Sequence, residues 1–131
     1  MYLPDTNICI YIINQHPKSV IKKITGLYPP DIKISSVSIA ELEYGASKSK
    51  QREKNRAALN NFLSAFDIIP FNAQDAEIYG IIRAELEREG NPVGPYDLQL
   101  AAQALVRNLI LVTNNTAEFA RIKKLKLENW V

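Results

Sequence analysis

The chain has 131 residues, of which 47% are hydrophobic and 23% charged, a formal net charge of +2 and one cysteine, Cys9. This length predicts a single domain, residues 1–131, with its own hydrophobic core, and the composition excludes disordered and fibrous classes. One cysteine excludes an internal disulfide framework and favours a reducing compartment. Because there is no signal-peptide pattern and no apolar run of about eighteen residues, the sequence predicts a cytoplasmic protein without a membrane span.

Short apolar runs of the β type alternate with helical patterns along the chain. The predicted strands are residues 2–4, 32–35, 66–71, 109–113 and, at an edge of the sheet, 125–130. The fourth run, Leu-Ile-Leu-Val-Thr, is typical of a buried parallel strand. The alternation of strands and helices predicts an α/β fold whose parallel sheet is covered by helices on both faces.

Helices are predicted between these strands. The ranges are 37–46, then 73–89 with Asn72 as N-cap and Gly90 as stop, then 96–107 with apolar residues on one face. A further helix follows the first strand, where Thr6 is expected to be the cap, and Thr116 is expected to cap a helix after the fourth strand.

Four polar residues fall at or near the carboxyl ends of the predicted strands. Asp5 ends the first strand and Asn115 lies just past the fourth, so both are expected at one rim of a parallel sheet. Glu41 lies early in the helix after the second strand. Asp97 opens a helix one turn before Ala101, at a half-buried boundary where a carboxylate needs compensation. The sequence therefore predicts an acidic crevice.

Three carboxylates and an amide are the oxygen ligands that Mg²⁺ or Mn²⁺ prefers. Such ions beside a phosphodiester activate water and neutralise developing charge. The single histidine, His16, excludes a zinc site built from histidines, and the sequence has no GxSxG, P-loop or GxGxxG motif. An acidic site that performs hydrolysis without these groups must depend on a metal.

Each of these residues also has an ordinary structural interpretation. Asp5 is a common helix-start residue, Glu41 a solvated helix residue, and Asp97 a partner for the helix dipole. The pair Asn114-Asn115 is a common turn. The cluster becomes specific only if the fold brings its members together at one sheet edge.

A basic stretch occupies residues 48–56, where five cations stand against one acid. It is interpreted either as a solvated helical face or as a surface that contacts an RNA backbone, since phosphate contacts need only clustered charge. The cations are Lys48, Lys50, Arg52, Lys54 and Arg56.

Five segments together resemble the PIN-domain ribonucleases, and more closely the VapC toxins of type II (VapBC) toxin–antitoxin systems. They are DTNICIY (5–11), ISSVSIAELEYGASKS (34–49), GPYDLQLAAQAL (94–105), LVTNNTAEF (111–119) and LENW (127–130). The resemblance implies a three-layer α/β/α fold with a parallel sheet of about five strands. It also implies Mg²⁺-dependent endonucleolytic cleavage of RNA, frequently tRNA, which inhibits translation.

The same resemblance implies partners and site roles. A VapB-type antitoxin would neutralise the toxin, a homodimer is usual, and operator DNA would be contacted only through the antitoxin. Asp5, Glu41 and Asp97 match the family's metal-binding and active-site acids. Asn115 occupies a position where many PIN domains carry a fourth acid. The expected substrate-contacting or supporting residues are Thr6, Asn7 and Asn114.

Pro4 departs from the aliphatic residue usual before the first aspartate. Proline removes a possible ladder bond beside Asp5, and it is either tolerated at the strand end or shifts Asp5. This leaves an alternative open: an attenuated PIN-like module that binds RNA or antitoxin without cleavage. A small metal-dependent phosphatase is a third interpretation, although a lysine motif and cap domain for it are missing.

Overall fold

The computed structural model describes residues 1–131 and contains five strands. All five fall within the predicted runs, which confirms the strand assignment. They are β1 (Tyr2–Pro4), β2 (Lys33–Ser35), β3 (Asp67–Ile69), β4 (Ile110–Val112) and β5 (Lys126–Glu128).

Seven α-helices lie between and beside the strands, together with a 3₁₀ turn at Pro29–Asp31. They are α1 (Thr6–Asn14), α2 (Lys18–Thr25), α3 (Ser36–Lys48), α4 (Arg52–Leu63), α5 (Ala73–Arg88), α6 (Pro95–Arg107) and α7 (Thr116–Phe119). None is both long enough and apolar enough to cross a membrane.

The predicted ends of α5 are confirmed in detail. Asn72 and Asp75 form a reciprocal capping box at its start. At its end Gly90 adopts a left-handed conformation, φ 72°, and Asn91 N–H donates to the Leu86 carbonyl at 2.9 Å. This is the glycine-dependent helix termination expected for the position.

The sheet is parallel throughout but is divided into two ladders. One has the order β1-β4-β5 and the other pairs β2 with β3. A single isolated bridge, Tyr2 to Ile32, joins them and gives the overall order β3-β2-β1-β4-β5. The predicted parallel sheet is therefore confirmed, with the correction that its hydrogen-bonded ladders contain three strands and two strands instead of about five together.

Pro4 lies at this interruption. Met1 O accepts from Ile110 N–H at 3.0 Å and Asp5 N–H donates to Val112 O at 2.9 Å, so the odd-numbered residues of β1 face β4. Successive residues of a strand turn their backbone groups to opposite neighbours, so the nitrogen of Pro4 faces β2. It has no hydrogen to donate there. Pro4 is the last residue of β1, and Asp5, directly after it, keeps its ladder bond to β4.

Helices cover both faces of the sheet, as predicted. Leu3 and Leu111 are in register and pack with Leu86 of α5 and Phe119 of α7 on one face. On the other face Val112 packs with residues of α1 and α2. A third cluster joins β2 to α1, α3 and α4, and contains Cys9 as a fully buried residue.

The helices that follow β1 and β4 leave the sheet on opposite faces. These two strands are neighbours, with Pro4 paired to Val112, while α1 and α7 belong to different core clusters. Strands that diverge in this way open a crevice at their carboxyl ends, where α/β proteins bind ligands. Asp5 and Thr113 are the first residues beyond the two strands.

Candidate active site

Asp5 is a buried and hydrogen-bonded residue at the carboxyl end of β1. It is 6% exposed and is the N-cap of α1, where its carboxylate accepts from Ile8 N–H at 2.9 Å. Burial raises the pKa of Asp5, hydrogen bonds from Thr113, Ile8 and the Asn7 backbone lower it, and the nearby charge of Glu41 raises it. Donors thus offset part of the cost of burying this acid, and the pKa of Asp5 remains above its ordinary value.

Thr6 is not the helix cap that the sequence predicted. Asp5 takes that position because its carboxylate reaches the free N–H groups of the first turn, and Thr6 becomes the first helical residue. The Thr6 hydroxyl instead donates to Glu41 Oε1 at 2.7 Å and lies 3.1 Å from Ser38 Oγ. Thr6 therefore links α1 to α3 and orients the Glu41 carboxylate.

Asp97 lies in the first turn of α6 and is half-buried, at the boundary predicted for it. Burial raises the pKa of Asp97 to about 6, with smaller contributions from the charges of Glu118, Asp5 and Glu41. No hydrogen bond contributes in the opposite direction. Asp5, Glu41, Asp97 and Glu118 are thus one electrostatically coupled group.

Glu118 was missed in the sequence and is the nearest acid to Asp97 in electrostatic effect. Its carboxylate accepts from Asn115 Nδ2 at 2.5 Å and from Gly94 N–H at 3.2 Å, which connects α7 to the loop before α6. The available signal was its position, three residues beyond Asn115 on a helix, which places both at one helix end. A negative charge therefore is present in the region where Asn115 supplies only an amide.

Asn115 and its neighbours form the turn after β4. Asn115 N–H donates to Thr113 Oγ1 at 2.9 Å, and Asn115 is itself the N-cap residue, without a capping side-chain bond. The expected cap, Thr116, is the first residue of α7 instead, because the turn closes through Thr113. Asn114 is exposed and accepts from Asn129 Nδ2 at 3.3 Å.

The predicted basic segment spans the end of α3 and the start of α4. Arg56 is paired with Glu43 at 3.1 Å, and the Lys48 ammonium lies 4.9 Å from the centre of the Tyr44 ring. Lys54 lines a groove that also includes Glu41, so this groove connects the acidic site to the basic turn. The remaining exposed cations of the segment are Lys50 and Arg52.

The coupled acids fit a hydrated divalent cation better than a fully protein-bound one. No three acidic, histidine or cysteine groups are close enough to hold an ion together. Mg²⁺ commonly binds through one or two carboxylates and keeps several waters. A cation would also relieve the burial and repulsion that raise the pKa values of Asp5 and Asp97. The donors present therefore suit such an ion.

Comparison with known proteins agrees with this geometry. A family model described as the PIN domain matches residues 2–125. "Ribonuclease VapC2" of Rickettsia felis is 48% identical over 131 residues, covering 99% of this chain and 98% of the relative. "tRNA(fMet)-specific endonuclease VapC" of Shigella flexneri is 46% identical over 129 residues, covering 98% and 97%. The chain therefore belongs to the PIN-domain family.

Solved structures give the same result. The DNA-bound VapBC2 structure from Rickettsia felis matches with a TM-score of 0.91 and 46% identity, covering 99% of this chain and 98% of the other. The DNA-bound VapBC structure from Salmonella typhimurium matches with a TM-score of 0.93 and 42% identity, with the same coverage. The resemblance to VapC ribonucleases drawn from the sequence is confirmed.

Proposed function

We propose that this protein is a metal-dependent endoribonuclease toxin of a VapBC system, with residues 1–131 acting as one PIN domain. The observation that carries this proposal is the coupling of Asp5, Glu41, Asp97 and Glu118 at the crevice between β1 and β4. Relatives with this fold are named ribonucleases, and their alignments span nearly the whole chain.

The acids have distinct tasks in this proposal. Asp5, Glu41 and Asp97 would hold Mg²⁺ or Mn²⁺, directly or through water, and the ion when bound supplies positive charge at the scissile phosphate. Asp5 is kept in place by the first turn of α1, and Thr6 fixes the orientation of Glu41. Asp97 and Glu118 are more exposed than Asp5 and would face the substrate.

Asn115 would act through its neighbour. Asn115 Nδ2 donates a hydrogen bond to the Glu118 carboxylate, so we propose that Asn115 orients that carboxylate. Its Oδ1 is left to hydrogen-bond a water or a substrate hydroxyl. The exposed amides of Asn7 and Asn114 lie beside Asp5 and Asn115 in the chain and would contact the RNA.

RNA, and tRNA in particular, is the substrate class that we assign. The Shigella flexneri relative is named a tRNA(fMet)-specific endonuclease. In this chain the basic turn of Lys50, Arg52 and Lys54 lies at the end of the groove that reaches Glu41. Clustered cations of this kind bind a phosphate backbone without selecting a sequence.

A VapB-type antitoxin is the proposed protein partner. The matched structures from Rickettsia felis and Salmonella typhimurium are VapBC assemblies bound to DNA. We therefore propose that this chain is neutralised by such a partner in the bacterial cytoplasm, forms a homodimer, and reaches operator DNA only through the antitoxin.

Cleavage of a purified tRNA pool tests the enzymatic proposal. Wild-type protein with Mg²⁺ should cut the pool, and both a chelator and Asp97→Asn should abolish the cut. Glu77→Gln is the matched control, because it removes one negative charge from an exposed position of α5. Cleavage that survives the chelator would contradict the metal-dependent mechanism.

A non-cleaving PIN-like module is the second candidate, and one observation favours it. Pro4 interrupts the ladder between β1 and β2 directly before Asp5. If wild-type protein binds tRNA and antitoxin but leaves the tRNA intact at any Mg²⁺ concentration, this candidate replaces the first.

A further inference from the structure

A buried polar link joins the start of α3 to the middle of α6. The Ser35 hydroxyl donates to Gln103 Oε1, and both residues are 0% exposed. Ser35 Oγ also accepts from Val37 N–H at 3.0 Å, which makes Ser35 the N-cap of α3. The Gln103 amide donates to the Ile69 carbonyl at 3.4 Å. One glutamine thus contacts the ends of β2 and β3 and the start of a helix.

One turn further along α6, Arg107 forms an ion pair with a buried acid of α5. Arg107 donates to the Gln103 carbonyl at 3.4 Å and to the two carboxylate oxygens of Asp75 at 2.6 and 3.1 Å. Asp75 is 0% exposed and also belongs to the capping box of α5. No buried side-chain polar atom of the chain lacks a partner. The network therefore fixes the position of α6 against three other elements.

Stability alone does not explain a glutamine at this position. An amide buried without partners is costly, and an apolar pair of similar shape stabilises a core at least as well as a satisfied polar pair. A buried hydrogen-bonded link also fixes how the helices and strands are placed relative to one another, because its donors and acceptors are satisfied in only one arrangement. Gln103 also meets two opposite demands, since its oxygen accepts from Ser35 and its nitrogen donates to Ile69.

The two helices that this link joins carry acids of the site. Glu41 lies on α3, less than two turns after Ser35, and Asp97 lies on α6, less than two turns before Gln103. Strand β2, which precedes α3, and strand β4, which follows α6, belong to different ladders, and these ladders share one backbone bridge. We infer that Gln103 is a positioning residue that holds Glu41 at a fixed distance from Asp97. The catalytic consequence of this inference rests on the proposed function.

Gln103→Met tests the inference, because methionine keeps the length and removes both hydrogen-bonding groups. The matched control is Leu109→Ala, a buried change just before β4, at the end opposite Asp5. The two variants are compared at temperatures equally far below their melting temperatures. We expect kcat for tRNA cleavage to fall by about tenfold or more in Gln103→Met alone, with KM unchanged, since small misplacements of catalytic groups are costly.

Two measurements without RNA accompany the kinetics. Backbone hydrogen exchange in the first turn of α3 should accelerate in Gln103→Met and stay at the wild-type rate in Leu109→Ala. The rise in melting temperature on adding Mg²⁺ should shrink in Gln103→Met only, because separated acids bind the ion less well. If Gln103→Met does not fold, Gln103→Leu removes the same two hydrogen-bonding groups and leaves the N-cap bond from Val37 N–H to Ser35 Oγ in place.

The outcomes separate the two proposals. Equal kcat in Gln103→Met and Leu109→Ala, or unchanged exchange in α3, would overturn the positioning role. Wild-type protein that cleaves no RNA would instead contradict the proposed function. In that case the exchange and Mg²⁺ measurements still decide whether Gln103 holds the two helices together.

Discussion

The two halves of the acidic site are supported in different ways. Asp5 and Glu41 are hydrogen-bonded by protein donors: Asp5 by Ile8 N–H and Thr113, and Glu41 by Thr6. No donor lowers the pKa of Asp97, which burial and neighbouring charges raise to about 6. Protein donors therefore hold the carboxylates of Asp5 and Glu41, whereas no hydrogen bond opposes the burial and repulsion that act on Asp97. A cation would therefore be most stabilising on the Asp97 side.

Removing the charge of Asp5 should have the largest effect. Asp5→Asn keeps an oxygen that can cap α1 but removes a charge, so tRNA cleavage should fall on the order of a thousandfold. The melting temperature should hold or rise, because a buried charge is lost while the cap remains. Cleavage assays and thermal melting measure the two effects, and a variant that melts lower and still cleaves would show a structural role only.

Thr6→Val, next to Asp5, should have a smaller effect on tRNA cleavage. Valine has nearly the same shape but cannot donate to Glu41, so kcat should fall by about tenfold while Asp5 keeps its bonds. Thr25→Val is the matched control, because Thr25 is exposed and bonds only to the backbone of its own helix. If both variants cleave at the wild-type rate, the Thr6–Glu41 bond has no catalytic importance.

Pro4→Leu should stabilise the strand that carries Asp5. Leucine supplies an N–H toward β2, and one added backbone bond is worth about 1 kcal/mol in the free energy of unfolding. Chemical denaturation measures the gain, and the cleavage assay shows whether activity rises with it. Pro30→Leu, in the exposed 3₁₀ turn, controls for the loss of proline stiffness. No gain in either measure would mean that the interruption of the sheet has another cause.

The smallest expected effect is the pH dependence of the free energy of unfolding that comes from Asp97. A carboxyl with a raised folded-state pKa binds its proton more tightly when folded, so it favours folding at low pH. For Asp97, that contribution is present below pH 3.8 and is lost as pH rises toward about 6. Because Asp97 is only half-buried, the loss should be on the order of 1 kcal/mol or less.

Denaturation of metal-free protein between pH 4 and pH 7 tests this, with Asp97→Asn as the reference. The free energy of unfolding of the wild type, relative to the variant, should decline over this range, and Mg²⁺ should oppose the decline. A difference that is constant with pH would show that Asp97 titrates at its ordinary value.

The strands, most helices and three of the four coupled acids were predictable from the sequence. The rule that parallel strands end at one rim placed Asp5 at the end of β1. Glu41 and Asp97 lie on helices, and the resemblance to VapC toxins identified them. The helices α2 and α4 were not predicted, because polar residues dominate them and only Leu59 and Phe62 of α4 are buried.

Contacts between distant residues were the part that could not be predicted. Both Thr6 and Asp5 are good N-cap residues, and the bond from the Thr6 hydroxyl to Glu41, thirty-five positions along the chain, could not be read from either. Glu118 was not identified because the sequence pattern drew attention to the turn residue Asn115 instead. The Gln103–Ser35 bond joins residues sixty-eight positions apart. Periodicity and capping rules describe neighbours in the chain and contain no information about such pairs.

The division of the sheet at Pro4 has a consequence for how Glu41 is positioned. The smaller ladder, β2 with β3, and the helices between them form one continuous stretch, residues 33–69, bounded by few backbone bonds to the rest. Because the two ladders share a single backbone bridge, the position of Glu41 relative to Asp5 is set mainly by side chains. These are the hydroxyl of Thr6, which donates to Glu41, and the apolar cluster that packs α1 against β2 and α3.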